Sequence, residues 1–308
     1  MKLFPNGDRI FEVISRYDDR LTLEEREGYE PGDTLALIVP FLILHDISEA
    51  DITRLAAKAA LTGGADQLIA WLEHGGWKVF CITTTYQQYA THITQKLGIY
   101  AHNVASTPFP LNKLKQTLAK EDTALLQAVE EEILSRHPLV DDERIKQSLD
   151  DFFREKLPTT ELGVAIKEVK PVGGRRKVAA LNRFAETHTQ PLSNWVVAGD
   201  SITDARMLQA VEAAGGLAIA FNANEYALPY ATMSLASTSI ADLTEVLQSW
   251  QKGQRKGVEK IVKQKEKSGG KEDRGYFHWL SGRKDIDDVI NIHQRIRRLV
   301  REEAGKLG

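Results

Sequence analysis

The apolar run at residues 195–198 feeds a Gly199-Asp200 turn, a second carboxylate follows at Asp204, and a helix opens at once through Met207 and Leu208. A short strand that turns straight into a helix is the unit of a sheet covered by helices on both faces. The pattern recurs. Residues 78–82 form an apolar run closed by Thr83-Thr84-Thr85, residues 217–221 another closed by Asn222-Ala223-Asn224, and 163–169 and 233–236 have the same character. Apolar residues at three- and four-residue spacing place helices at 65–74, near 86 onward, at 175–186 and at 240–250. The expectation is an α/β chain built on a parallel sheet.

The remaining segments read as helical. Residues 8–17, 33–45 and 49–61 carry helical spacing with a break at Pro31-Gly32, so 1–62 is expected to be a helical cap segment. The core then occupies 63–106 and 158–250. Between them, 107–157 opens at Pro108 and Pro110 and continues as charged helices at 111–119, 123–135 and 141–156, a helical insertion or cap. Residues 251–308 are expected to be a linker and C-terminal helix. The linker, 251–275, has nine Lys/Arg against four Asp/Glu and contains Gly269-Gly270. The helix, 285–301, lines up Ile286, Val289, Ile290, Ile296, Leu299 and Val300, and it is expected to dock on the core or on another subunit.

Composition excludes several classes. At 42% hydrophobic and 27% charged residues the chain is an ordinary globular one, and a net charge of −3 gives no general pull toward nucleic acid or an anionic membrane surface. The longest apolar run, 35–44, is broken by Pro40 and is half of what a membrane helix needs. With Asp33 and Thr34 ahead of it, it reads as a buried helix. One cysteine, Cys81, permits no intrachain disulfide, in keeping with a cytoplasmic protein that contacts neither nucleic acid nor membrane. His92, His188 and His278 lack metal-ligand spacing. The glycines form neither a P-loop nor a dinucleotide fingerprint.

Three pieces carry chemistry: a hydroxyl cluster after a strand, a lysine opening a helix after Gly173-Gly174, and the paired aspartates. Phosphoryl transfer uses each of them, because it works by positioning and by neutralising spreading negative charge. Thr83 or Thr84 can donate to a phosphate oxygen, with Thr85 as a further register. Lys177 can supply positive charge, with Arg175 and Arg176 competing for that role. Asp200 and Asp204 suit a hard cation such as Mg²⁺, which takes one or two carboxylates together with substrate phosphate.

In this combination the sequence resembles the haloacid-dehalogenase-like (HAD) phosphohydrolases. The family's second motif matches residues 79–83, its third matches Gly173 to Lys177, and its fourth, Gly-Asp-Ser/Gly-x-x-Asp followed by Met-Leu, matches Gly199 to Leu208. Residues 216–224, Gly-Leu-Ala-Ile-Ala-Phe-Asn-Ala-Asn, resemble the strand that follows in the phosphoserine-phosphatase-like branch. Residues 4–19 and 28–35 are further similar to the archaeal HAD-like proteins termed energy-converting hydrogenase A, subunit R. The resemblance implies a Rossmann-like, HAD-like core with helical cap segments and a C-terminal helical extension. It implies Mg²⁺-dependent hydrolysis of a small phosphate monoester through an aspartyl-phosphate. Thr83 and Lys177 would be catalytic, Thr84 phosphate-binding, and Asp200 and Asp204 metal ligands.

One motif is missing. The family's first strand carries hhhDxDx(T/V), whose first aspartate is the nucleophile, and these 308 residues contain no match. Asp18-Asp19 follows an apolar run, but it lacks the one-residue spacing, and Ile10, Phe11, Val13, Ile14 and Tyr17 suit a helix. The resemblance therefore implies that the chain begins downstream of its nucleophile, with impaired or no hydrolysis and an exposed central sheet edge. The alternative expectation is a non-catalytic binding or regulatory subunit of the same fold, hydrogenase-associated, meeting a protein partner or its own copy through the C-terminal helix.

Overall fold

A computed structural model describes residues 3–24, 28–137, 143–270 and 274–306, with side chains to residue 300. The chain is α/β and divides into two compact units. The first comprises Met1–Ala57, Thr83–Ile93 and Val104–Gly173, and the second Lys58–Ile82, Thr94–Asn103 and Gly174–Gly308.

The first unit is mainly helical; it takes in residues 83–93 and 158–173, which the sequence reading placed in the core, and leaves out 58–62. Helices run over Gly7–Leu23, Thr34–Leu37, Val39–Leu44, Glu49–Ala57, Leu111–Lys115, Lys120–Arg136, Glu143–Asp150 and Glu161–Ile166. The helix expected over 141–156 begins at Glu143 and passes into a π-helical turn, Asp151–Lys156; its first two residues lie outside the described residues. In the Gly7–Leu23 helix, Ile10, Val13, Ile14, Tyr17 and Leu21 are buried together, the 3.6-residue stripe that the spacing implied. They share a core with Phe41, Leu42, Leu126 and Phe152. Each such side chain contributes roughly 1.5–3 kcal/mol by leaving water. The apolar run 35–44 is two short helices inside this core, and among the described residues no helix is long and apolar enough to cross a membrane.

Residues 163–169 correct the strand-like expectation: they lie in and just after the Glu161–Ile166 helix. The Thr160 hydroxyl accepts from the Gly163 N–H at 2.9 Å and caps the helix. A side chain on Gly163 would strike the Leu157 carbonyl at 1.8 Å, so the glycine serves close helical packing. Strand β1 (Cys81–Tyr86) pairs with β2 (Val104–Thr107) in a two-stranded sheet. β1 therefore begins three residues later than the expected 78–82, and Thr83, Thr84 and Thr85 lie inside it.

The second unit holds the main sheet, in the order β3 (Val196–Gly199), β4 (Leu217–Phe221), β5 (Met233–Ala236), β6 (Tyr276–Trp279). β3, β4 and β5 are parallel, with Gly199 opposite Ala220 and Phe221 opposite Leu235, and β6 closes the edge antiparallel to β5. Every residue of β4 and β5 is buried. Alternation sends Leu217, Ile219 and Phe221 toward a core with Leu247, Trp250 and Val258, and Ala218 and Ala220 toward Leu208, Val211 and Val289. Helices Ala65–His74, Arg175–Thr187, Ala205–Ala213, Thr244–Lys267 and Asp287–Lys306 complete this unit.

The expected linker at 251–275 is another correction. Its first part continues the Thr244–Lys267 helix, with Val258 and Val262 fully buried, and its end stops one residue short of β6. The lysines mask the pattern in composition, because their charged ends stay in water while valines four apart face the sheet. Residues 271–273 of that stretch lie outside the described residues. The C-terminal helix docks on its own core through Val289, Ile290 and Ile296.

Candidate functional site

The turn after β3 is built around Asp204. Its Oδ2 accepts the N–H of Asp200 at 3.0 Å and of Ser201 at 3.2 Å, and the Ser201 hydroxyl at 3.2 Å. Its Oδ1 accepts from the Lys177 ammonium at 2.6 Å. Both partners of that ion pair are buried, each side chain being 7% exposed. Gly199 makes room for this arrangement, since a Cβ there would lie 2.5 Å from Asp204 Cβ and 2.7 Å from its Cγ. The Gly174 N–H donates to the Thr203 carbonyl at 3.0 Å, which ties the start of the Arg175–Thr187 helix to the same turn.

Lys177, Asp200 and Asp204 are thus brought together at the C-terminal end of a parallel strand, where α/β sheets bind ligands. Asp204 has its oxygens taken up by protein donors and holds the turn. Asp200 differs: its side chain is 55% exposed, with a guanidinium nitrogen of Arg297 3.4 Å from Oδ2. Arg175 in the same helix turn as Lys177 is exposed, whereas Lys177 is the inward-facing cation.

Sequence reasoning missed the contribution of the C-terminal helix. Arg297 donates to the carbonyls of Asp200 at 2.8 Å and Asn222 at 3.2 Å. One turn earlier, His293 Nδ1 accepts the Ala223 N–H at 2.9 Å, while its Nε2 is buried without a partner among the described residues. Burial, with His278 and Arg297 nearby, pushes the His293 pKa down to about 3, so this ring is neutral. The only signal in the sequence was an arginine late in an amphipathic helix, which the helix dipole alone accounts for.

Thr83 and Thr84 belong to the first unit. The Thr84 hydroxyl donates to the Val172 carbonyl at 3.0 Å and is thereby committed to the backbone. Thr83 Oγ1 accepts from the Thr85 N–H at 3.3 Å, which leaves its proton available to a ligand. Of the two, Thr83 has the hydroxyl suited to a phosphate. Cys81 is in the second unit; burial raises its thiol pKa, and the Lys177 ammonium partly offsets this. In the first unit, Asp18 lies in the Gly7–Leu23 helix, as its neighbours' spacing implied, and accepts from the Tyr29 hydroxyl and the Thr34 N–H. Burial raises its pKa to about 6.

No group of three or more His, Cys, Asp or Glu able to hold a metal occurs among the described residues. No protein-family model and no curated protein matches the chain. Among solved structures, it is similar to the structure of gene product AF1437 from Archaeoglobus fulgidus, at 28% identity and a TM-score of 0.79. The match covers 97% of this chain and 90% of that one.

Proposed function

We propose that this chain carries the phosphate-holding half of a HAD-type phosphohydrolase: it binds a small phosphorylated molecule at the C-terminal end of β3 and, with these residues alone, turns it over poorly or not at all. The buried Lys177–Asp204 pair carries the reading. Removing two charges from water is expensive, and removing one partner of such a pair typically destabilises by about 3–5 kcal/mol. A protein core has no need of the pair for packing. A phosphate site does, because the ammonium keeps two further N–H donors for anionic oxygens after bonding Asp204.

Mg²⁺ is compatible with Asp200, the half-exposed carboxylate, and with the ion's habit of keeping waters and taking one or two carboxylates. Bound there, it would neutralise charge on phosphate oxygens. Asp204 would orient the turn, its own oxygens being occupied, and Arg297 would hold the Asp200 backbone. Formation of an aspartyl-phosphate needs an additional carboxylate nucleophile, and the motif that supplies one has no counterpart in the sequence.

The test is phosphate release from a generic monoester such as p-nitrophenyl phosphate, with and without Mg²⁺, beside saturable binding of the same compound. The reading expects binding that Mg²⁺ strengthens, with release at the buffer rate. Rapid turnover abolished by Asp200→Asn would refute the inactive half of the proposal, and absence of both binding and turnover would refute all of it.

A further inference from the structure

The Thr244–Lys267 helix is interrupted at Gln254 and runs on regularly over residues 255–267. The inner face of that second stretch is settled, since Val258 and Val262 are fully buried in a core with Leu217, Trp250 and Phe277. At about 100° per residue, Lys256, Lys260, Lys263 and Lys267 fall within about 60° of one another on the opposite side, and all four are exposed. Their spacing of four, three and four residues makes a line about 16 Å long. Both carboxylates of the stretch lie beside this line: Glu259 bonds Lys263 at 2.6 Å, and Glu266 bonds Arg283 at 2.7 Å. Lys265 faces another way and is taken up by Glu245 and the Phe277 ring. Lys256, Lys260 and Lys267 have no ion-pair partner among the described residues. A solvated helix face is normally laced with opposite charges, and like charges four apart oppose helix formation. This line contains two such repelling pairs, Lys256 with Lys260 and Lys263 with Lys267.

We propose that this lysine line is a docking surface for the sugar–phosphate backbone of a nucleic-acid duplex, held without regard to base sequence. Charge alone must select the partner, because the apolar side of the helix is buried in the core and no apolar side chain interrupts the line. An acidic protein surface is a poor match. Exposed lysine–carboxylate pairs contribute little each, and a stable protein interface has an apolar centre. A duplex binds by charge alone, because lysines that neutralise its phosphates release condensed counterions. Its phosphates recur about every 3.4 Å along each strand, so the line faces about five of them. A bilayer is broad as well as anionic, and it would meet Glu259 beside the line. Lysine is a point charge, suited to contacts that position a duplex without reading its bases. The net charge of −3 conceals the line, because it averages 40 basic residues against 43 acidic ones over the whole chain. The inference is independent of phosphate binding at β3.

The test is fluorescence anisotropy of a labelled DNA duplex of about 20 base pairs, longer than the line, titrated with the full chain. The expected result is saturable binding at about 50 mM salt that is about 60-fold weaker at about 200 mM. That corresponds to a slope near about −3 in log K against log salt, for three to four neutralised phosphates. A duplex of unrelated sequence should bind equally. Lys256→Gln, Lys260→Gln and Lys267→Gln together should weaken binding at least ~10-fold and reduce the slope to about −1, while the variant melts as the parent does. Lys58→Gln, Lys96→Gln and Lys284→Gln together remove as much charge from exposed positions off the line, and they should leave the slope unchanged. Three results would overturn the proposal: no duplex binding at the lower salt, a slope near zero, or equal loss in the two triple variants. Tighter binding of phosphatidylserine vesicles or of polyglutamate than of the duplex would overturn it as well, by making a membrane or an acidic protein the partner.

Discussion

Gly199 and Asp204 define the site together, one by lacking a side chain and the other by using both carboxylate oxygens. Gly199→Ala would place a methyl group 2.5 Å from Asp204 Cβ. Relief of that clash should cost about 1–3 kcal/mol, read as a lower melting temperature, and should also displace Asp204 from Lys177 and weaken phosphate binding. Asp18 supports a different prediction. Its pKa is near 6 in the folded protein against 3.8 for an ordinary aspartate, so the native state keeps a proton that the unfolded chain has lost. The stability this gives is complete below pH 4 and disappears as pH rises through 6, a change of about 3 kcal/mol at roughly 1.4 kcal/mol per pH unit. Asp18→Asn retains an acceptor for Tyr29 and Thr34, so its stability should lose that decline; urea unfolding of both proteins at pH 4 and pH 7.5 measures the difference. At this scale Asp200, Asp204 and Lys177 were legible because a strand–turn–helix fixes where such residues point. The split between Asp204 as an internal anchor and Asp200 as the exposed carboxylate was not, because hydrogen-bond saturation belongs to folded geometry.

Among elements, the strands most legible in sequence were those enclosed by a strand on each side. Leu217–Phe221 and Met233–Ala236 match their apolar runs because each is enclosed on both sides. Residues 78–82 read as a buried strand, yet only the last two enter β1. Their composition suits an enclosed position, and the space beside them is a cavity. The Lys-rich stretch went unread as a helix because solvated charges outnumber the two valines that anchor it. Inside that helix Gln254 sits at φ 50°, ψ −149°, a region that favours glycine. Gln254→Gly should therefore stabilise the protein by about 1 kcal/mol, within the range typical of such backbone strain, as a rise in the urea midpoint at unchanged slope.

For the whole molecule, the sequence conveyed an α/β architecture with helical additions, but not where the chain changes units. The chain changes unit after 82 inside β1, where the local pattern is continuous, and after 173 at a Gly-Gly turn that reads as an ordinary break before a helix. The net charge of −3 also says little about ligands, since the proposed site uses four charged residues at one strand end: Lys177, Asp200, Asp204 and Arg297. The central claim is that this strand end holds phosphate. Calorimetric titration of the whole chain with inorganic phosphate at fixed Mg²⁺ tests it most directly, with Lys177→Met and Asp200→Asn alongside and their folding checked by cooperative melting. The account predicts one site in the parent chain, weakened at least ~10-fold in each folded variant, a loss of about 1.4 kcal/mol or more. Equal phosphate affinity in all three proteins, or no heat of binding in the parent chain at millimolar phosphate, would contradict it.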